Sequence, residues 1–143
     1  MILNERKRLV IWNGMFLFLL GLLVGLVELQ FRNPRMGLAA HLEGLMNGTF
    51  LIALGAVWSH VRLSPKLETT AFWAVLYGAY ANVITTTLAA VVGANSLSPI
   101  TGAGHSAAPW QEFLITAGFV SVGAAMVGSS ALFLWGLRSG KNK

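Results

Sequence analysis

The sequence predicts an all-α membrane protein, a four-transmembrane-helix bundle forming a single domain over residues 1–143. Three observations carry that prediction. The chain is 55% hydrophobic and only 10% charged, where soluble domains carry about 25% charged residues. No charge falls between Arg8 and Glu28, between Glu68 and Glu112, or between Glu112 and Arg138. All four prolines, Pro34, Pro65, Pro99 and Pro109, lie outside the apolar runs, as expected of a residue that breaks helix interiors.

A run of roughly 20 apolar residues spans the hydrocarbon core. Four such spans are predicted: Leu9–Leu29, Met36–Ser59, Thr69–Val92 and Phe113–Leu137. Arg6-Lys7-Arg8 before the first run resembles the start of a signal peptide. The run exceeds the usual length of such an apolar region, and no small-residue cleavage site follows, so it is read as a span. Three loops join the spans. The first two are short; the third, Gly93–Gln111, is long, uncharged and rich in Gly, Ser and Pro. It is either a cap over a site or a plain connector.

Orientation follows the distribution of Lys and Arg. Arg6, Lys7, Arg8, Arg62, Lys66, Arg138, Lys141 and Lys143 fall on one side, and only Arg32 and Arg35 on the other. Both termini are therefore expected in the cytoplasm, in a bacterial-type inner membrane. The net charge of +5 is then a topology signal with some attraction to anionic lipid, and no nucleic-acid partner is expected. The absence of cysteine excludes disulfides and thiolate metal sites. No nucleophile triad, phosphate loop or dinucleotide fingerprint is present.

Small residues are spaced for close helix contact. Gly21 and Gly25 form one GxxxG and Gly44 and Gly48 another; Ala117, Ser121, Ala125 and Ser129 form a ladder in the fourth span. Such spacing favours helix association in lipid and also suits an oligomer.

Ionisable groups inside a span are costly and are functional candidates by default. The second span holds three polar residues within two turns: His41, Glu43 and Asn47. His41 is either an interfacial, hydrogen-bonded histidine or a ligand. Gly44, Gly48 and Gly55 fall within roughly 60° of it on a helical projection. That side-chain-free surface suits a planar macrocycle with a histidine axial ligand; tight helix packing would use it equally. Glu43 and Asn47 share a face turned by more than roughly 120° from His41. If all serve one site, Asn47 is expected from a neighbouring subunit. The third span adds Asn82 and Thr86, with Gly78 one turn earlier. A buried amide needs partners; it can bond a helix backbone or line a polar pocket, with Phe72, Trp73, Tyr77 and Tyr80 as aromatic walls. His60 is expected at the far membrane surface. His105, in the third loop, is on the His41 side and could approach as a lid residue or second ligand.

The segment Ala40-His41-Leu42-Glu43-Gly44-Leu45-Met46-Asn47-Gly48, with Tyr80-Ala81-Asn82-Val83 in the third span, resembles the hydroxylaminobenzene mutases and styrene oxide isomerases. These are small four-span membrane enzymes. The resemblance implies a homotrimer with ferric haem b between subunits, its iron held axially by His41; the glycine surface at Gly44 and Gly48 is then the candidate cofactor floor. It implies a substrate side formed by Asn47 and Asn82, with Gly78, Tyr80 and Thr86 in the pocket. Where the epoxide isomerases carry an acid and a tyrosine, this chain has Gly78 and Thr86; it offers Glu43 instead. That favours the hydroxylamine branch: rearrangement of an aryl hydroxylamine to a 2-aminophenol, in nitroarene metabolism, with iron as Lewis acid. Asn47 and Asn82 would orient the substrate and Glu43 would act as base or charge stabiliser. Three rival readings are an epoxide isomerase at the same haem, a proton-coupled exporter using Glu43, and a haem electron-transfer subunit.

Overall fold

The computed structural model describes residues 2–138, with side chains from Glu5 onward. Lys141 and Lys143 of the charge count lie outside the described residues. Four long helices account for most of the chain: α1 (Ile2–Val27), α2 (Pro34–Val57), α3 (Pro65–Val92) and α4 (Pro109–Leu137). All four are long and apolar enough to cross a membrane, and no strand occurs among the described residues. The chain is thus a multi-pass membrane protein.

The helices start where the prolines stand. Pro34, Pro65 and Pro109 each open a helix, where proline loses no hydrogen bond and its fixed φ favours the first turn. These starts lie two to four residues before the predicted spans, because helix continues into the polar membrane boundary. Pro99 stays in the third loop. Helix α3 stops at Gly93, whose φ of 73° is cheap only for glycine; its N–H bonds Ala89 O.

Each helix pairs with its sequence neighbour, and the α1·α2 pair is the tightest. Glycines let these two antiparallel backbones touch. A Cβ on Gly48 would lie 2.7 Å from Gly14 O and Phe18 N, and a Cβ on Gly44 2.9 Å from Gly21 N. The α3·α4 pair uses Gly78 against Met126 and Gly118 against Thr85. One apolar core, centred on Leu17, Leu51, Trp58, Phe72 and Val75, joins α1, α2 and α3, with Phe133 from α4. At its end, Arg6 pairs with Glu68 at 3.4 Å and bonds Thr69, while the Trp58 indole donates to Glu68. Much of the apolar surface of α1 and α4 remains exposed, as suits contact with lipid or another subunit.

The third loop is folded against the opposite end. Asn33, fully buried, caps α2 through its side-chain oxygen and donates to Thr101 O at 2.8 Å. Arg35 donates to Ala103 O. Glu112 gathers three backbone N–H groups into its carboxylate, from Asn95, Ser96 and Ala107, at 2.9–3.2 Å. Hydrogen bonds to a charged group are each worth about 1.5–3 kcal/mol. Glu112→Ala should therefore release the loop. Its direct readout is faster amide hydrogen exchange at Asn95, Ser96 and Ala107 with the four helices intact; unchanged exchange would show that the carboxylate does not hold the loop.

Candidate active site

Helix α2 carries polar side chains on two opposite faces. Residues 41 and 43 differ by about 200° around a helix, and the structure sends them to different neighbours. His41 turns toward α1, where its Nδ1 lies 2.8 Å from Gly21 O. Its ring rests on Gly25: a Cβ there would lie 2.5 Å from Nδ1 and 2.9 Å from Cε1. Glu43 turns toward α3. Its Oε2 accepts from the Asn47 amide at 3.1 Å and from the Asn82 amide of α3.

The carboxylate explains how two amides sit within the bilayer. A buried amide without a partner is costly in hydrocarbon; here both donate to one oxygen. Asn47 is 6% exposed. Neither His41 nor Glu43 is fully buried, so both faces of α2 remain within reach of another molecule.

The other expected site residues go elsewhere. Thr86 is buried, and its hydroxyl bonds Asn82 O one turn back, a common use of a helix threonine. Gly78, one turn before Asn82, packs on Met126 and Ala125 of α4. The Tyr80 hydroxyl donates to Asn13 Oδ1 at 2.8 Å, away from Glu43. With Asn13, Trp73 and Tyr77 it lines a groove between α1 and α3. Phe72 joins the core against Trp58. The expected aromatic walls therefore do not converge on Asn82. His105 stays with its own loop, its Nδ1 3.4 Å from Ala103 O, and makes no hydrogen bond to His41.

One expectation changes. Gly44 and Gly48 do not offer an open floor for a macrocycle, because α1 lies on them, backbone to backbone. Of the two uses the sequence left open for that surface, tight helix packing takes it within the subunit. For a haem held by His41, Nε2 is the ring nitrogen left to bind it, since Nδ1 is engaged by Gly21 O.

His41 itself fits that role. Its Nδ1 is engaged by a backbone carbonyl, as metal-bound histidines typically are, and no described residue bonds its Nε2. No group of three or more acidic or histidine side chains forms a metal cage among the described residues. A single imidazole suffices for a metal already held by a macrocycle.

Comparison with known proteins decides the family. The family model described as styrene oxide isomerase matches residues 6–138, nearly the whole chain. The chain belongs to the styrene oxide isomerase family. Two relatives from Ectopseudomonas oleovorans are named hydroxylaminobenzene mutase. HabB is 45% identical over 127 residues, covering 88% of this chain and 77% of HabB. HabA is 39% identical over 126 residues, covering 87% of this chain and 93% of HabA. No solved structure matches the chain. As a member of the styrene oxide isomerase family, this membrane protein is an isomerase. The exporter and electron-transfer readings fall away.

By sequence alone Gly21 and Gly25 read only as packing residues, and Asn13 carries no functional signal. The first signal was available in the register. Once Gly21 faces Gly44 in an antiparallel pair, Gly25, one turn on, faces His41 about one turn back. Asn13 had no such signal, since its partner Tyr80 lies two helices away in sequence.

Proposed function

We propose that this isomerase is a mutase that converts aryl hydroxylamines, such as hydroxylaminobenzene, to 2-aminophenols, with a ferric haem b ligated by His41. The observation that carries the reading is the convergence of the Asn47 and Asn82 amides on Glu43, in a chain 45% identical to a protein named hydroxylaminobenzene mutase. When bound, the haem supplies a Lewis acid for the N–O bond.

Substrate and product are isomers, so no co-reactant is needed. The hydroxyl leaves nitrogen for the ortho carbon, and the ring proton at that carbon is transferred to nitrogen. Glu43 has a second oxygen, Oε1, with no hydrogen-bond partner among the described residues, free to take that proton and return it. The two amides fix the carboxylate and offer their carbonyls to the substrate N–H. The surrounding apolar helices exclude water that would intercept an electron-poor ring.

His41 and Glu43 face opposite sides of α2, so a site using both takes His41 from one copy and Glu43 with its amides from the next. That supports a homo-oligomer, here proposed as a trimer, in the cytoplasmic membrane with both termini inside. An apolar aromatic substrate reaches such a site through the bilayer.

The family description favours a second reading at the same residues, isomerisation of styrene oxide-type epoxides to aldehydes. Purified protein assayed side by side on hydroxylaminobenzene and styrene oxide separates the two; faster turnover of the epoxide overturns the first. Within the mutase reading, Glu43→Gln keeps an oxygen for an amide but loses the base. Turnover should fall roughly 10²–10⁴-fold, the usual contribution of general acid–base catalysis. Unchanged turnover in a folded Glu43→Gln protein removes Glu43 from the chemistry.

A further inference from the structure

We propose that helix α1 is the positioning element of the His41 ligand: the Gly21 carbonyl fixes its tautomer and the bare Gly25 seats its ring. The inference rests on the reading that His41 holds a haem, and assigns the first-span GxxxG a role in that site beyond helix packing.

A backbone carbonyl only accepts hydrogen bonds. With Gly21 O at 2.8 Å from Nδ1, the proton of a neutral His41 sits on Nδ1. The lone pair then sits on Nε2, so α1 selects the nitrogen that can bind a metal. The ring's attitude is set by the same two residues. The atoms nearest to a Cβ built on Gly25 are Nδ1, Cε1 and Cγ, at 2.5, 2.9 and 3.1 Å. The Nδ1 corner therefore points into α1 and the Nε2 edge points away from it.

Gly25 also keeps the carbonyl reachable. It lies one turn beyond Gly21, and any side chain there would occupy the volume through which Nδ1 approaches Gly21 O. The other glycines of this helix pair differ in kind. Gly14 meets Gly48 O and the Ile52 backbone and side chain, and Gly21 meets the backbone of Gly44 and Leu45. Gly25 alone among the α1 glycines is met by the imidazole.

A partner on the second ring nitrogen orients a ligating histidine and raises its basicity, and its loss typically costs 10- to 100-fold in metal affinity. The test compares full-length, detergent-purified variants by haem titration and by the iron–histidine stretching band of the ferrous protein. Gly25→Ala should bind haem about 10- to 100-fold more weakly, with the band moved to lower frequency as the imidazole loses its hydrogen-bond acceptor. Gly14→Ala crowds the same helix pair about three turns away. It should lower thermal stability but leave the band in place.

Haem affinity and band unchanged in Gly25→Ala would overturn the proposal. A wild-type protein that binds no haem would overturn it together with the cofactor reading. Haem bound by the wild type and lost in His41→Ala, with Gly25→Ala unaffected, would sink the positioning role alone. Should Gly25→Ala fail to fold, His41→Gly supplied with free bases decides. Imidazole retains an N–H for Gly21 O, whereas 1-methylimidazole does not. A preference for imidazole of tenfold or more supports the proposal, and equal restoration of the haem spectrum overturns it.

Discussion

His41→Ala should purify as a folded, colourless protein with turnover reduced by well over 100-fold. Loss of an outer partner alone costs a metal site about 10- to 100-fold; removal of the ligand itself must cost more. The fold should survive, because among the described residues the side chain makes a single hydrogen bond, to Gly21 O. A typical intramolecular hydrogen bond contributes about 1 kcal/mol net. Helix content by circular dichroism should therefore match the wild type while the Soret band disappears. A variant that keeps both colour and activity would remove His41 from the site. One that loses its helical signal would show a folding role instead.

Gly44→Leu should have the largest effect on stability. The Cβ of any residue here would overlap the Gly21 backbone, lying 2.9 Å from its nitrogen and 3.4 Å from Leu17 O. These neighbours are backbone, so no side chain can rotate away, and α1 and α2 must separate. Overpacking commonly costs about 1–3 kcal/mol, and a branched side chain forced between two backbones should reach the top of that range or exceed it. Because α1·α2 is the principal packing of α1, its separation also carries Gly21 O away from His41. Gly128→Ala provides the contrast. Nothing lies within 4 Å of a Cβ at Gly128, and alanine is favoured over glycine in a helix interior by up to about 1 kcal/mol. Thermal unfolding in detergent should show a large drop for Gly44→Leu and none for Gly128→Ala. Equal melting temperatures would mean that the glycine contact does not hold the helix pair.

These expectations separate what residue order reveals from what packing decides. Span number and position follow from charge gaps and prolines, because lipid penalises charge and helix interiors penalise proline wherever the neighbours stand. The link between Glu43 and Asn47 was equally legible, since a spacing of four puts two side chains on one helix face regardless of context. Asn82 was recognisable as an amide inside a span needing a partner. That the partner is Glu43 depended on the rotation of α3 against α2.

The roles of Gly44 and Gly48 were ambiguous for a definite reason. A glycine face is an absence of side chains, and an absence accepts either a flat ligand or another helix. Only the approach of α1 decided between them. Tyr80 and Gly78 show the same limit: their spacing from Asn82 was plain, but their partners, Asn13 and Met126, come from contacts that periodicity does not encode.

By itself the sequence determined a four-span membrane chain and a histidine set on the opposite face of its helix from a carboxylate and an amide. The 3.6-residue period and the cost of charge in lipid leave little else possible. Tertiary structure alone decided that α1 covers the glycines, turns the imidazole by its Nδ1 corner and draws Asn82 onto Glu43. Which helices meet, and at what rotation, is settled by close packing among many side chains at once, and no single stretch of sequence holds that information.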